Sequence, residues 1–181
     1  LRLALAKATR ARTDFRVVQF SVQRDHLHLI IEASGNTALS RGMQGLAIRI
    51  ARQLNRLLGR TGKLWADRFF SRVLRSPRVV RSALAYVLDN FRKHRESRMG
   101  IVARIDPYSS APYFSGFREL GGRTPWELAA SPAWPLSPRG VQPPKTRSEL
   151  PVLRARTWLA LHGWRKGGAL TTNHVASIDS H

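Results

Sequence analysis

Two histidines stand two residues apart in His26-Leu27-His28. In an extended strand, residues i and i+2 project from one face and the residue between them from the other. Both imidazoles can then grip one divalent cation, while Leu27 points away. Tyr86 and Asn90 are four apart, a spacing that shares one face of a helix. A phenol is a weak nucleophile at its ordinary pKa of about 10. It becomes useful where a cation polarises the phosphate under attack. Asn90 offers an oxygen ligand beside the imidazoles, and a mixed site with open positions suits Mg²⁺ or Mn²⁺. Each pair also has a plain structural reading, as histidines on an ordinary hairpin, an interfacial tyrosine and a solvated asparagine. The pairs taken singly leave both readings open.

These residues need elements to hold them. Residues 1–13 read as a helix with Leu1, Leu5 and Ala8 on its apolar side. The β-rich run Phe15–Val22 and the run His26–Glu32, separated by a polar turn at Gln23–Asp25, predict a hairpin. A long helix is expected over 40–59, with Ser40 as N-cap, Gly59 as stop and Met43, Leu46, Ile50, Leu54 and Leu57 as its stripe. Leu64–Leu74 alternates like a strand. Ser76-Pro77 opens a further helix to about His94. With one more strand placed ahead of residue 1, and expected to be missing here, the order becomes βαββαβα. That is a ferredoxin-like α+β sandwich, an antiparallel sheet with helices on one face.

Beyond residue 105 the texture changes. Nine of the ten prolines fall within 107–151. We expect a domain over 1–105, a Pro/Gly-rich irregular segment over 106–150, and a C-terminal helix and tail over 151–181. A terminal helix at 152–166 would present Trp158, Leu161 and Trp164.

The chain has 181 residues with 31 basic and 11 acidic side chains, a formal charge of +20. Of the basic residues 26 are arginine, whose planar fork suits bidentate phosphate contact. Residues 1–100 carry +15 of that charge, so a polyanion partner is expected to lie there. Arg49, Arg52, Arg56 and Arg60 recur at helical spacing and form one basic stripe able to follow a DNA backbone. Arg68, Arg72 and Arg75, near Trp65 and Phe70, offer the cation-plus-stacking surface that single strands favour. Lys93 and His94 lie two turns beyond Tyr86, within the range of a phosphate contact. Zero cysteines exclude disulfide scaffolds, thiolate zinc sites and cysteine nucleophiles. No apolar run approaches the roughly 20 residues needed to span a bilayer.

Four ordered segments carry a family likeness. Asp25-His-Leu-His-Leu-Ile-Ile-Glu32, Ser40-Arg-Gly-Met-Gln-Gly-Leu46, Gly62-Lys-Leu-Trp-Ala-Asp-Arg-Phe69 and Ala85-Tyr-Val-Leu-Asp-Asn90 resemble the single-tyrosine transposases of the HUH endonuclease superfamily, in particular the REP-associated tyrosine transposases. The likeness covers roughly residues 15–117. It implies that residues 1–105 are a transposase-like catalytic domain, that His26 and His28 are metal ligands with Asn90 beside them, and that Tyr86 is the nucleophile. It also implies cleavage of single-stranded DNA beside a hairpin or palindromic repeat, through a 5′-phosphotyrosine link. A monomer or homodimer in the bacterial cytoplasm, associated with the nucleoid, is expected. Asp25 stands where relatives often carry Asn, and Phe91 where many carry Pro or a small residue. The competing expectations are a catalytically decayed module that only binds DNA hairpins, and a metallohydrolase acting through a bound water.

Overall fold

The computed structural model describes residues 2–95, 105–106, 108–125, 127 and 150–171, with residues 3, 9 and 90–95 described by backbone alone. The first helix, α1, spans Arg2–Arg10. The β-branched and aromatic run that follows becomes β1 (Phe15–Val22), and the chain turns back as β2 (Leu27–Ala33) to form a two-stranded sheet. Closure of the turn is a backbone bond, the Gln23 N–H donating to the His26 carbonyl at 2.9 Å. Two long helices follow, α2 (Asn36–Leu57) and α3 (Pro77–Arg95).

Chain contacts divide the molecule into two compact units. The first holds Leu1–Val18, Ile31–Leu74 and Pro144–Thr157. Its core joins Leu5, Phe15 and Val17 to Leu46 and Ile50 of α2, all nearly inaccessible to solvent. Burial of such side chains contributes roughly 1.5–3 kcal/mol each. Close approach of α2 to the Phe15 ring depends on Gly42, where any Cβ would overlap that ring. At its far end α2 stops in a left-handed glycine: Gly59 has φ +60°, and the Arg60 N–H returns to the Asn55 carbonyl at 2.9 Å.

The second unit holds Gln19–Ile30, Arg75–Pro143 and Trp158–His181. Helix α3 starts where Ser76 offers its hydroxyl to the Val79 N–H at 3.3 Å and Pro77 takes the first turn. It buries Val80, Leu84, Ala85, Val87 and Leu88. The core of this unit also takes Phe114, Phe117 and Leu120, contributed by an irregular stretch with 3-10 turns at Ala111–Tyr113 and Arg118–Leu120.

Three expectations are corrected. First, residues 64–74 form no strand among the described residues; the described sheet has two strands, and the mixed α+β class holds. A strand needs a neighbour to satisfy its backbone. The outer edge of β1 is already taken: Val22 N–H donates to the Tyr108 carbonyl at 2.8 Å, Ser110 N–H to Phe20 at 2.8 Å, and Leu153 N–H to Val17 at 3.0 Å. Second, α2 begins four residues before Ser40, its Leu39 N–H already bonded to the Gly35 carbonyl at 2.9 Å, so Ser40 lies inside the helix and caps nothing. Third, the terminal helix is only Trp158–Leu161, followed by a 3-10 segment Gly163–Gly167. The backbone ahead of it is used elsewhere, since Arg156 and Thr157 N–H both donate to the Glu32 carboxylate. Residues 107, 126 and 128–149 of the expected Pro/Gly-rich segment lie outside the described residues.

Two outcomes follow from the first unit. Gly42→Ala should lower stability by about 1–2 kcal/mol in thermal unfolding, because overpacking against Phe15 exceeds the helix gain of alanine. Gly45→Ala, whose Cβ meets only the mobile Arg49 guanidinium, should not lower it. The Arg12 guanidinium hydrogen-bonds Asp14 at 2.6–2.8 Å and holds its carboxyl below the ordinary range. A lowered carboxylate pKa adds stability above the unfolded-state value, and that contribution disappears as pH falls through the folded-state value. A carbon NMR titration should place the Asp14 midpoint below about 3.9, and Arg12→Ala should return it there.

Candidate active site

Strand β2 is half-buried along most of its length, and its two-residue period brings His26, at its edge, and His28 to one side. Their Nε2 atoms lie 2.9 Å apart, with the rings edge to face. Tyr86, on α3, completes a contiguous row: its hydroxyl lies 3.3 Å from His28 Nε2, and the rings pack edge to face at 4.8 Å. All three belong to the second unit. Asn90 follows one turn later on α3, and its side chain lies outside the described part, as does that of Lys93.

A fourth residue orders the row. Asp25 Oδ1 lies 2.6 Å from His26 Nδ1. A carboxylate only accepts, so the imidazole donates there, and in the neutral ring this leaves the lone pair on Nε2. The same bond holds the Asp25 carboxyl below its ordinary range. Asp25 and His26 are exposed, so a large substrate has access. His28 Nε2 faces both His26 Nε2 and the Tyr86 hydroxyl, and as a neutral ring its one Nε2 position serves one of them at a time.

The donor set suits a divalent cation. Two ligands each about 2.1 Å from a metal and at right angles are about 3 Å apart, which the 2.9 Å spacing matches. A carboxylate on the distal nitrogen of a ligating imidazole is the usual means of fixing its tautomer. Among the described residues no group of three or more His, Cys, Asp or Glu is assembled, so the histidine pair would need Asn90, water or substrate oxygens to complete a coordination sphere.

The expected DNA-contact arginines fall in the first unit except Arg75, which is exposed and belongs to the second. Arg49, Arg52, Arg56 and Arg60 are all exposed, the first three on α2 and the last just beyond it. Arg68 and Arg72 are exposed on the irregular 64–74 segment, where Phe70 is 94% exposed and therefore no core residue. Trp65 is half-buried and donates its indole N–H to the Ala47 carbonyl at 3.0 Å. Sequence reasoning set Asp25 apart as a departure from relatives without assigning its contact. The signal was present, in a carboxylate immediately before a candidate ligand. It passed over Arg81 entirely, because nothing local marks that arginine among so many.

Residues 3–90 match a family model described as "Transposase IS200 like". The matched span runs from α1 through the helix that carries Tyr86, so the class is that of transposase-type, DNA-processing proteins. Over that stretch, just under half of the chain, the sequence is similar to the IS200-like transposases. No curated protein and no solved structure matches it significantly. Among the described residues no helix is long and apolar enough to cross a membrane.

The carboxylate–imidazole contact makes one direct expectation. Asp25→Ala should weaken Mn²⁺ binding about 10–100-fold in calorimetric titration. Equal affinity in the variant would show that the carboxylate does not orient the ring.

Proposed function

We propose that the chain is a metal-dependent single-stranded DNA strand transferase of the single-tyrosine HUH type, of the REP-associated kind, acting beside hairpins or palindromic repeats. The observation that carries it is the convergence of His26, His28 and the Tyr86 hydroxyl within 3.3 Å contacts, from a strand and a helix far apart in sequence. His26, His28 and Asn90 would hold the cation. A bound Mg²⁺ or Mn²⁺ supplies Lewis-acid polarisation of the scissile phosphate. Tyr86 Oη attacks phosphorus, its proton passes to solvent, and the phosphorus–O3′ bond breaks. The departing 3′ oxygen takes up a proton. The products are a 5′-phosphotyrosine and a free 3′-OH, and the reverse attack rejoins strands with no nucleotide cofactor. The absence of a Gly-x-x-x-x-Gly-Lys loop agrees with that. In this reading the transposase domain is a ferredoxin-like HUH domain, and it works in the cytoplasm as a monomer or homodimer.

Arginines supply the hold on the substrate. Arg49, Arg52, Arg56, Arg60, Arg68 and Arg72, with Lys93, are assigned to the phosphate backbone, and exposed Phe70 to base stacking.

To test this, the protein is incubated with Mn²⁺ and a labelled hairpin bearing single-stranded flanks. A denaturation-resistant protein–DNA adduct is expected, lost with Tyr86→Phe and with chelator. Adduct formation by Tyr86→Phe at the wild-type level removes Tyr86 from the role. Hairpin binding indifferent to metal, with no adduct, identifies a binding module instead. Cleavage without an adduct identifies a metallohydrolase. Separately, log affinity should fall linearly with log salt, and removing Arg52 and Arg56 should flatten that slope by about 0.7–0.9 per lost contact.

A further inference from the structure

One side of α3 meets the histidines through Tyr86, and another is gripped by the chain's own C-terminal segment. Arg81 stands five residues before Tyr86, which on a helix of 3.6 residues per turn turns the two side chains about 140° apart. Its guanidinium donates through Nε to the Gly168 carbonyl at 3.0 Å and through Nη2 to the Ala169 carbonyl at 3.4 Å. Those carbonyls do not float. Trp164 and Leu170, on either side of them, are 2% and 1% exposed. Trp164 packs against Phe114 with ring centroids 5.6 Å apart and planes tilted by 42°, and Leu170 accepts from the Arg118 N–H at 2.8 Å and bridges Phe117. Gly168 takes φ +88°, a conformation that suits glycine and aims its carbonyl. The fit is close: a Cβ on Gly167 would come within 2.7 Å of Arg81 Cδ.

We infer that Arg81 and the 163–170 segment position Tyr86: the forked contact sets the rotation and axial height of α3, and so the place of the phenol against His28. The inference rests on the reading of Tyr86 as nucleophile only for its kinetic consequence. The placement itself is a structural statement. An in-line attack tolerates little error, since a misplacement of about 1 Å can cost about 100-fold in rate. The packing of Val80, Leu84, Ala85, Val87 and Leu88 is apolar and non-directional, and the fork adds a directional contact to it.

The test uses the full chain with 3-fluorotyrosine at position 86 and records two signals. One is the fluorine shift, which senses the edge-to-face His28 ring. The other is the rate of adduct formation at saturating hairpin DNA, measured beside DNA affinity. Arg81→Ala should move the fluorine signal toward its position in His28→Ala. It should also slow the adduct about 10–100-fold, with affinity and the unfolding midpoint changed little. Arg81→Lys, which keeps one donor of the fork, should recover part of both. Gly167→Ala should act like Arg81→Ala by pushing the arginine aside, and the double variant should be no worse than either single one.

An unmoved fluorine signal in Arg81→Ala overturns the inference, as does a rate that falls only in proportion to the unfolded fraction. If the wild-type protein forms no adduct, the nucleophile reading fails, and the fluorine signal alone still decides the positioning role.

Discussion

The register of β2 against β1 is the constraint on which the site depends. A strand alternates faces with a period of two, so a slip of one residue would send His26 and His28 to the side that Leu27 now occupies. Turn closure between Gln23 and His26 prevents the slip at one end. At the other end the Ser34 N–H donates to the Asp14 carbonyl at 3.1 Å, and Glu32 holds the backbone of Arg156 and Thr157. With register held, the two imidazoles face one point, and the helix carrying Tyr86 has a fixed target.

The outer edge of β1 shows how distant chain contributes. In the second unit Ser109 and Ser110 lie against it, both fully buried, and Ser110 Oγ accepts from the Phe20 N–H and donates to Gln19 Oε1 at 2.5 Å. Asp106, 4% exposed, accepts from the Tyr108 N–H at 2.8 Å and from Ser21. Buried polar groups are tolerable when each finds a partner, and such a network ties a loop to a strand with more specificity than apolar packing alone. The irregular stretch after residue 105 is thus part of a core, although its prolines and glycines suggest only loop.

Electrostatics divides by role. Most of the charge is a diffuse positive field suited to a polyanion, carried by exposed arginines with few acidic neighbours. The few carboxylates are placed with more care. Asp25 orients His26, Asp14 pairs with Arg12, and Glu32 receives the backbone ahead of Trp158. These three carboxylates serve local geometry, each accepting from a donor close by.

Much was legible in advance, because it depends on short-range rules. The ends of β1, the hairpin, the existence of α2 with its Gly59 stop, and the start of α3 at Ser76-Pro77 all follow from alternation, turn chemistry and capping. So do the shared face of His26 and His28 and the placing of Tyr86 and Asn90 one turn apart. The 64–74 strand and the long terminal helix were misjudged, because alternation and helical period describe what a segment can do and not whether its backbone partners are free. Only the tertiary structure decided that the Tyr86 hydroxyl meets His28 across 58 residues of chain, that Asp25 turns its carboxylate to His26, and that Arg81 is held by Gly168 and Ala169. Local sequence determines which groups share a face. Which faces meet is settled by the packing of the whole chain, where every buried surface and backbone donor must find its partner at once.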